Sequence, residues 1–457
     1  MVEQVQRLLS ESKAARWAAL FVVSFTMFAG YYLADVMAPL QGLCRNQLGW
    51  TDTEYGFFTS AYGWFNVFLF FLIIGGIILD KMGIRFTGMG AALIMVVGTA
   101  IKYWAISTHS LDAVVLFGWK SQVMVAALGY AIFGVGVEVA GITASKVIVK
   151  WFKGKEMALA MGMQLSIARL GTALALSTSL PIALGTGSVS TPILICLIML
   201  CIGVLAFFMY SVMDKKLDAS IAEKMERDGT APEEEFRLKD ILKIVLNKGW
   251  WYIAILCVLF YSAVFPFLKY ATDLMINKFG VDPYWAGLLP GLLPFGTIFF
   301  TPIFGGIYDK KGKGATIMII GAVIIVCVHL LFAVPIIHHW FFAFLLMVVL
   351  GIGFSLVPSA MWPSVPKIIP DRQLGTAYSL IFWVQNWGLM GVPYLIGWVL
   401  DTYCITSPVG AIEKTYSYTL PMLIFMSFGV LAIFFAILLK REDKKKGYGL
   451  ELPNIKS

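Results

Sequence analysis

Gly134 to Gly171 reads GVGVEVAGITASKVIVKWFKGKEMALAMGMQLSIARLG. It places one acid, Glu138, and one base, Arg169, inside two apolar runs of membrane length, joined by the hairpin WFKGKE (Trp151 to Glu156). At about 1.5 Å of rise per helical residue, Glu138 lies roughly 18 Å from Lys150 and Arg169 roughly 21 Å from Lys155. Both charges therefore reach a similar depth, a little past the middle of a hydrocarbon core about 30 Å thick. An isolated charge there costs ~2.5 to 3.5 kcal/mol on insertion scales, so such residues face the protein interior or a water-filled cavity. The pair is expected to form the floor of a substrate site. The plainer alternative is an internal salt bridge bracing the two segments.

Working outward, the whole chain has the character of this stretch. Its 457 residues are 59% hydrophobic and only 14% charged, with a mean hydropathy of +0.81, which excludes an ordinary soluble domain. Apolar runs of 20 or more residues suit helices rather than the alternating strands of a barrel, because lipid leaves no partner for an open backbone group. The expected fold class is an all-α membrane protein with twelve transmembrane helices in two pseudo-symmetric six-helix bundles. Spans fall near 17–40, 54–79, 86–107, 119–149, 157–182, 190–213, 249–276, 283–308, 314–337, 340–368, 373–401 and 416–440. The implied organisation is an N-terminal segment (1–16), a first bundle (17–213), a polar linker (214–248), a second bundle (249–440) and a tail (441–457).

A six-plus-six arrangement around one long linker is that of a duplicated transporter, and the chain carries traces of the duplication. Gly134-Val-Gly136 recurs as Gly351-Ile-Gly353, and Glu156 to Gly171 aligns with Gln373 to Gly388, both at an offset of 217 residues. GGIILDKMGIR (Gly75 to Arg85) recurs as GGIYDKKGKG (Gly305 to Gly314). At that offset Glu138 corresponds to Ser355 and Arg169 to Asn386, so the site is expected to be electrostatically lopsided.

The net charge of +8 sits in short inter-helix loops and both tails, which is topology information rather than a nucleic-acid footprint. The basic hairpins, the linker and REDKKK (Arg441 to Lys446) share one side, so both termini are expected to be cytoplasmic. Absence of an N-x-S/T sequon fits a bacterial inner membrane, and the first apolar run reads as a span rather than a cleaved signal. In the linker, Glu233 to Glu235 precede Leu238, Ile241, Leu242 and Val245, the spacing of an amphipathic helix under the bundle. The N-terminal residues read either as a short surface helix or as a frayed tail. Six cysteines lack metal spacing, although Cys44 and Cys404 fall near outer helix ends and could meet. No nucleophile set, metal cluster or phosphate loop supports an enzyme, and no cofactor is implied. Lys269 and Asp273 have the i, i+4 spacing of an intrahelical pair. Asp35 reads as a helix-end residue or as a proton or amine site. Prolines crowd spans seven, eight and ten, so the second bundle is expected to bend most.

Gly76-x-x-x-Asp80-Lys81-x-Gly83-x-Arg85 resembles the signature hairpin of the major facilitator superfamily. AVFPF (Ala263 to Phe267), Trp362-Pro363, LGTAY (Leu374 to Tyr378), Gln385-Asn386, WFKGKE, Glu138 and Ala168-Arg169 extend the likeness over most of the chain, and are similar to that superfamily's lysosomal dipeptide uniporter branch. The resemblance implies that Gly76, Asp80 and Arg85, with Asp309 in a weaker second copy, latch the cytoplasmic side without touching substrate. It implies that Glu138 holds the amine of a dipeptide or similar zwitterion and Arg169 its carboxylate. Asn386, Gln385 and Tyr261 would complete the opposite wall, with Trp362, Trp64, Asn66 and Asp35 lining or framing the cavity. Lys146, and Lys269 with Asp273, depart from that branch. A zwitterion suits the site on physical grounds too, since desolvating both its ends is tolerable only with paired partners and arginine's fork matches a carboxylate. The expected function is therefore movement of short peptides by alternating access. The lipid bilayer and a small solute are the expected partners of a monomer; proton coupling and an accessory subunit are left open. The competing readings are an exchanger or proton-driven porter of another organic solute, and a membrane receptor that binds without transport.

Overall fold

The computed structural model describes residues 12–108, 110–111, 114–116, 118–152, 157–228, 239–370, 373–408 and 414–453. Nearly all of them are helical. The first half contains α1 (Lys13–Asp35), α2 (Gln41–Leu48), α3 (Asp52–Ser60), α4 (Trp64–Phe68), α5 (Phe71–Ser107), α6 (Ser121–Phe152), α7 (Met157–Thr186) and α8 (Ser190–Asp228). A short helix, α9 (Lys239–Val245), precedes the second half: α10 (Lys248–Phe279), α11 (Pro283–Ala286), α12 (Leu288–Lys311), α13 (Gly314–Ala333), α14 (Trp340–Ile368), α15 (Leu374–Tyr403) and α16 (Thr419–Lys446). A two-residue hairpin, β1 (Val115–Leu116) with β2 (Trp119–Lys120), joins the third and fourth spans.

Ten of these helices are long and apolar enough to cross a membrane, and an eleventh crossing is the bent pair Asp52–Phe68 and Phe71–Leu79. The twelfth is α15, whose 30 residues reach about 45 Å but whose middle carries Gln385 and Asn386. Twelve crossings put the two ends of the described chain, Ser12 and Pro453, on one side of the bundle, the terminus side; the other is the far side.

The sharpest break is a 56° bend in the second span, in a stretch without proline, where Phe70 takes a left-handed φ of 55°. The prolines of spans seven, eight and ten lie inside continuous helices. The first span starts earlier than expected, at Lys13, because the Ser12 hydroxyl accepts from Ala15 N at 3.4 Å and caps it. In α9 the buried face is carried by Ile244, while Leu242 is exposed; the Trp251 indole donates to the Val245 carbonyl (2.7 Å) and fixes the rotation. Leu238 and the Glu233 to Glu235 run lie outside the described residues, as do 153–156 of the WFKGKE hairpin.

The repeated glycines make the duplication physical. A Cβ on Gly134 would lie 2.2 Å from the Tyr62 carbonyl oxygen in the second span, and one on Gly351 would contact Leu293 in the eighth. Gly136 packs on Met95 and Ala91 in the third span, as Gly353 packs on Ile324 and Gly321 in the ninth. Gly171 lies against Phe28 in the first span, as Gly388 lies against Val258 and Ser262 in the seventh. Each motif glycine thus lets its helix approach the equivalent neighbour within its own half.

Between the halves the packing is one-sided. On the far side α3 lies on α15 and α7 on α12, so closely that a Cβ on Gly397 would sit 2.2 Å from the Asp52 carbonyl oxygen and one on Gly287 2.0 Å from that of Leu176. On the terminus side Gly76, Gly305 and Gly306 have no neighbour within 4 Å of a built Cβ. The halves are therefore shut on the far side and splayed on the terminus side.

Polar contacts reinforce the shut end. Arg45 donates from Nε to Asp52 at 2.8 Å and, across the halves, in bidentate fashion to Asp273 at 2.8 and 3.1 Å. Tyr418 also donates to Asp273, Gln41 to Asp52 (2.7 Å), and the Thr53 backbone N–H to Asp401. Asp273 therefore serves an inter-half lock rather than an i, i+4 pair with Lys269. Cys44 and Cys404, expected to be able to meet here, are both free thiols, buried beneath this network.

On the terminus side the tail closes over the second half. Leu450 is fully buried, and the backbone N–H groups of Lys313 and Gly314 donate to the Glu451 and Leu450 carbonyls at 3.0 and 2.9 Å. Glu451 Oε1 accepts from Thr316 N (3.0 Å) and Oε2 from the Thr316 hydroxyl (2.8 Å), so a carboxylate from the tail caps α13, whose own Lys313 makes no cap. Gly314, which stands where the first half has Arg85, leaves room for this strap.

Two outcomes follow. Glu451→Ala should cost roughly 1 kcal/mol, the usual loss for an N-cap, and lower Tm by a few degrees in a thermal-shift assay in detergent. Arg45→Met should loosen the far-side lock, and maleimide labelling of Cys44 and Cys404, read by mass spectrometry, should accelerate several-fold; unchanged labelling would remove the lock.

Candidate substrate cavity

Midway between the halves lies a cavity of about 230 Å³, below the roughly 300–1,000 Å³ typical of ligand sites. Its wall combines Tyr31, Asp35, Tyr62, Glu138 and Arg169 from the first half with Tyr261, Phe265, Lys269, Trp362 and Gln385 from the second. The splayed terminus side gives it its entrance, and the far-side packing its roof.

The local folding of the sequence explains how the charges arrive there. Gly134 lets α6 rest on the Tyr62 backbone, and the Tyr62 hydroxyl then donates to Glu138 Oε1 at 2.7 Å. Gly171 seats α7 on α1, which sets the Arg169 guanidinium 5.7 Å from the Tyr31 ring centre, while Phe265 approaches from the other half at 5.1 Å. Cation–π contacts hold a guanidinium without consuming its donors. No ion pair joins Glu138 and Arg169 among the described residues. The bracing salt bridge weighed in the sequence analysis is absent, and one carboxylate oxygen and the guanidinium fork remain open to the cavity.

Asp35 is the last residue of α1 and also lines the cavity; Lys269 Nζ meets its Oδ1 at 2.7 Å while also donating to the Ala34 carbonyl at 2.6 Å. This ion pair crosses from the first span to the seventh at the cavity roof, where the Tyr130 hydroxyl donates to the same Ala34 carbonyl (2.6 Å). Of the four charged groups on the wall, three come from the first half and one from the second, so the lopsidedness expected from the repeat is only partial. Their formal charges, two acids and two bases, cancel.

Of the other expected site residues, Tyr261 and Trp362 stand together, indole N–H to phenol oxygen at 3.4 Å, and Gln385 reaches the wall. Asn386, Asn66 and Trp64 do not line the cavity. Asn386 turns its amide to the Phe382 carbonyl (2.9 Å), Asn66 donates to the Gly134 carbonyl (3.3 Å), and Trp64 donates to Ser60 (3.1 Å) against the Phe57 ring. Only Asn66 thereby ties two spans together; the bonds of Asn386 and Trp64 are local, to residues four positions earlier. Ser355, the repeat partner of Glu138, is likewise fully buried and bonds the Gly351 carbonyl at 2.8 Å.

Among the latch residues, Gly76 sits in open space, and Arg85 pairs within its own half, with Asp218 at 3.0 Å and Asp214 at 4.0 Å. The buried Asp214 also takes Lys150 (2.8 Å), Tyr210 (2.9 Å) and Trp151 (3.2 Å), a hub the sequence analysis missed although Asp214 directly follows the sixth apolar run. The Asp80 side chain lies outside the described residues, and Asp309 lies in the last turn of α12 beside Lys310. Tyr62, Tyr31 and Phe265 were missed too. Tyr31 and Phe265 carry a signal in the sequence, each four residues before a charge, Asp35 and Lys269, and so on the same helical face, whereas Tyr62 has none. No group of acids, histidines or cysteines among the described residues is arranged to hold a metal ion.

The Major Facilitator Superfamily profile matches residues 20–393. Relatives named lysosomal dipeptide transporter MFSD1 are 27% identical over 399 residues in Bos taurus, covering 85% of this chain and 80% of the relative, and 28% identical over 402 residues in Danio rerio, covering 84% and 81%. The human protein of that name is 27% identical over 409 residues, covering 85% and 81%. Among solved structures, a bacterial homolog of the human lysosomal transporter Spinster, inward-facing and unoccupied, superposes with a TM-score of 0.70 at 13% identity, covering 95% of this chain and 98% of that one. The inward-open xylose transporter XylE from E. coli gives 0.66 at 14%, covering 92% and 95%. With twelve spans, duplicated halves and a central cavity closed at one end, the chain belongs to the major facilitator superfamily: it is a multi-pass membrane transporter, not an enzyme.

Proposed function

We propose that this transporter moves dipeptides or similarly small zwitterions by alternating access. The observation that carries the reading is the pair of opposite charges, Glu138 and Arg169, facing one cavity without closing on each other. A guest with an amine at one end and a carboxylate at the other satisfies both, and each contact is of the charge-assisted kind. An anion would leave Glu138 facing like charge, and a neutral sugar would leave both desolvated without a partner. The dipeptide named for the relatives supports the same choice.

In this reading Glu138 takes the amine and Arg169 the carboxylate, while Tyr261, Trp362 and Gln385 bound the peptide from the other half and Asn66 ties the second span to α6. The terminus side is cytoplasmic in an inner membrane, as the basic loops argue, so the present state is open to the cytoplasm. Rocking closes Gly76, Asp80, Arg85 and Asp309 against the opposite half. Arg85 would then exchange Asp218 for a partner across the interface. The movement is uniport, because the acids of the wall already hold partners or await the guest.

Arg169→Ala and Glu138→Gln should each cut uptake of alanyl-alanine into proteoliposomes at least about tenfold, since a charge-assisted hydrogen bond contributes roughly 1.5–3 kcal/mol, while the protein stays monodisperse. Retained uptake in either variant removes that residue from the site. Blocking one peptide end tests the assignment: the N-acetyl peptide should lose its sensitivity to Glu138→Gln, and the C-terminal amide its sensitivity to Arg169→Ala. Imposing a pH gradient should leave the final level of uptake unchanged; accumulation above equilibrium would replace uniport by proton coupling.

A further inference from the structure

We infer that Lys269 is a specificity-determining residue: by occupying Asp35 it cancels the fixed charge of the cavity and restricts the transporter to peptides whose side chains are uncharged. The inference rests on the dipeptide reading and adds to it the substrate class.

The geometry separates the four charged groups into two functional pairs. Glu138 and Arg169 are held by a phenol and by ring faces, and keep capacity for a guest. Asp35 and Lys269 are held by each other at 2.7 Å, with Lys269 further anchored on the Ala34 carbonyl. Both pairs line the same small cavity, so a peptide clamped by its ends lies beside the second pair, where its side chains must go. A neutral side chain passes a satisfied ion pair at little cost. A cationic one meets Lys269 and an Asp35 already neutralised, and an anionic one meets the converse. Either arrives desolvated with nothing to pair with, which is the strongest form of rejection a buried site has.

The two partners lie on different halves, so breaking the pair also changes how readily the halves separate. That effect acts on every substrate alike, whereas a specificity role changes the ratio between substrates. The test therefore reads ratios. Alanyl-alanine, lysyl-alanine and glutamyl-alanine compete for uptake of labelled alanyl-alanine into proteoliposomes, at an ionic strength low enough to limit screening. The native protein should take alanyl-alanine in preference to both charged peptides. Lys269→Met leaves Asp35 unpaired and should raise the lysyl-alanine to alanyl-alanine ratio at least about tenfold. Asp35→Asn leaves Lys269 unpaired and should raise the glutamyl-alanine ratio instead. The double variant, Asp35→Asn with Lys269→Met, should return to the native ordering at whatever rate it runs.

Opposite shifts in the two single variants support the inference. Unchanged ratios, or shifts of one sign in both, overturn it while leaving the dipeptide reading intact, provided native protein takes up alanyl-alanine. Native protein that moves none of the three peptides sinks that reading and this inference together. Where Lys269→Met does not stay monodisperse, Asp35→Asn against the double variant makes the same decision.

Discussion

A charge in the middle of a membrane must be paired, hydrated or matched by a guest, and that constraint organises this protein. The cavity wall meets it in two ways. Asp35 and Lys269 satisfy each other across the two halves. Glu138 and Arg169 are satisfied only in part, by a phenol hydroxyl and by aromatic faces. Ring faces neutralise little and donate nothing, so they keep the guanidinium in place while leaving its directional bonding unspent. A wall that was fully satisfied would stabilise the empty carrier, and one that was wholly unsatisfied would not fold. The intermediate arrangement is what lets ligand binding change the energy of a state.

The same constraint shapes the far-side closure. Apolar packing alone would bury the interface strongly and give no easy route out, whereas here the helices touch through glycine backbones and are tied by Arg45, Asp273 and Asp52. Separating an ion pair inside a dry interior is costly, but the charges released when the far side opens meet water. The hydration regained offsets much of the attraction lost. A closure made of close-fitting backbone and ion pairs can therefore be both specific in register and readily reversed, as alternating access requires. Deeper in, Asp35 and Lys269 open toward the cavity instead, so the last contact to separate is the one that faces the substrate.

Much of this was legible in the sequence, and what was not has identifiable physical reasons. Hydropathy exposed the spans, and the offset of 217 residues exposed the glycines that pack equivalent helices. Glu138 and Arg169 stood out because a lone charge in an apolar run needs an explanation. Lys269 and Asp273 misled because an i, i+4 spacing offers a local partner, while the partners actually taken, Asp35 and Arg45, lie 234 and 228 residues away. Rotation about the helix axis settled Asn386 against Gln385: neighbouring residues point about 100° apart, so of two adjacent amides one reaches the wall and the other a helix backbone. The bend at Phe70 had no proline or glycine to announce it. It is held from outside, by Trp383, which stacks on Phe70 at 5.6 Å and donates its indole N–H to the Val67 carbonyl at 3.1 Å.

That last contact shows how far the two halves have diverged in chemistry while sharing a packing scheme. The glycine contacts match pair for pair, because backbone approach admits only one solution in both copies. Side chains met no such limit. The first half carries three of the four cavity charges and ties its terminus-side helix ends with Arg85, Lys150, Asp214 and Asp218. The second half has Gly314 in place of the arginine and fills the space with its own tail, using Glu451 to cap α13. The first half is thus held on this side by ion pairs between side chains, and the second by a strap that combines backbone hydrogen bonds with the Glu451 carboxylate, which also pairs with Lys440 at 3.5 Å. Exchange of side-chain partners is therefore open to both halves, while the backbone bonds of the strap keep α13 tied to the tail.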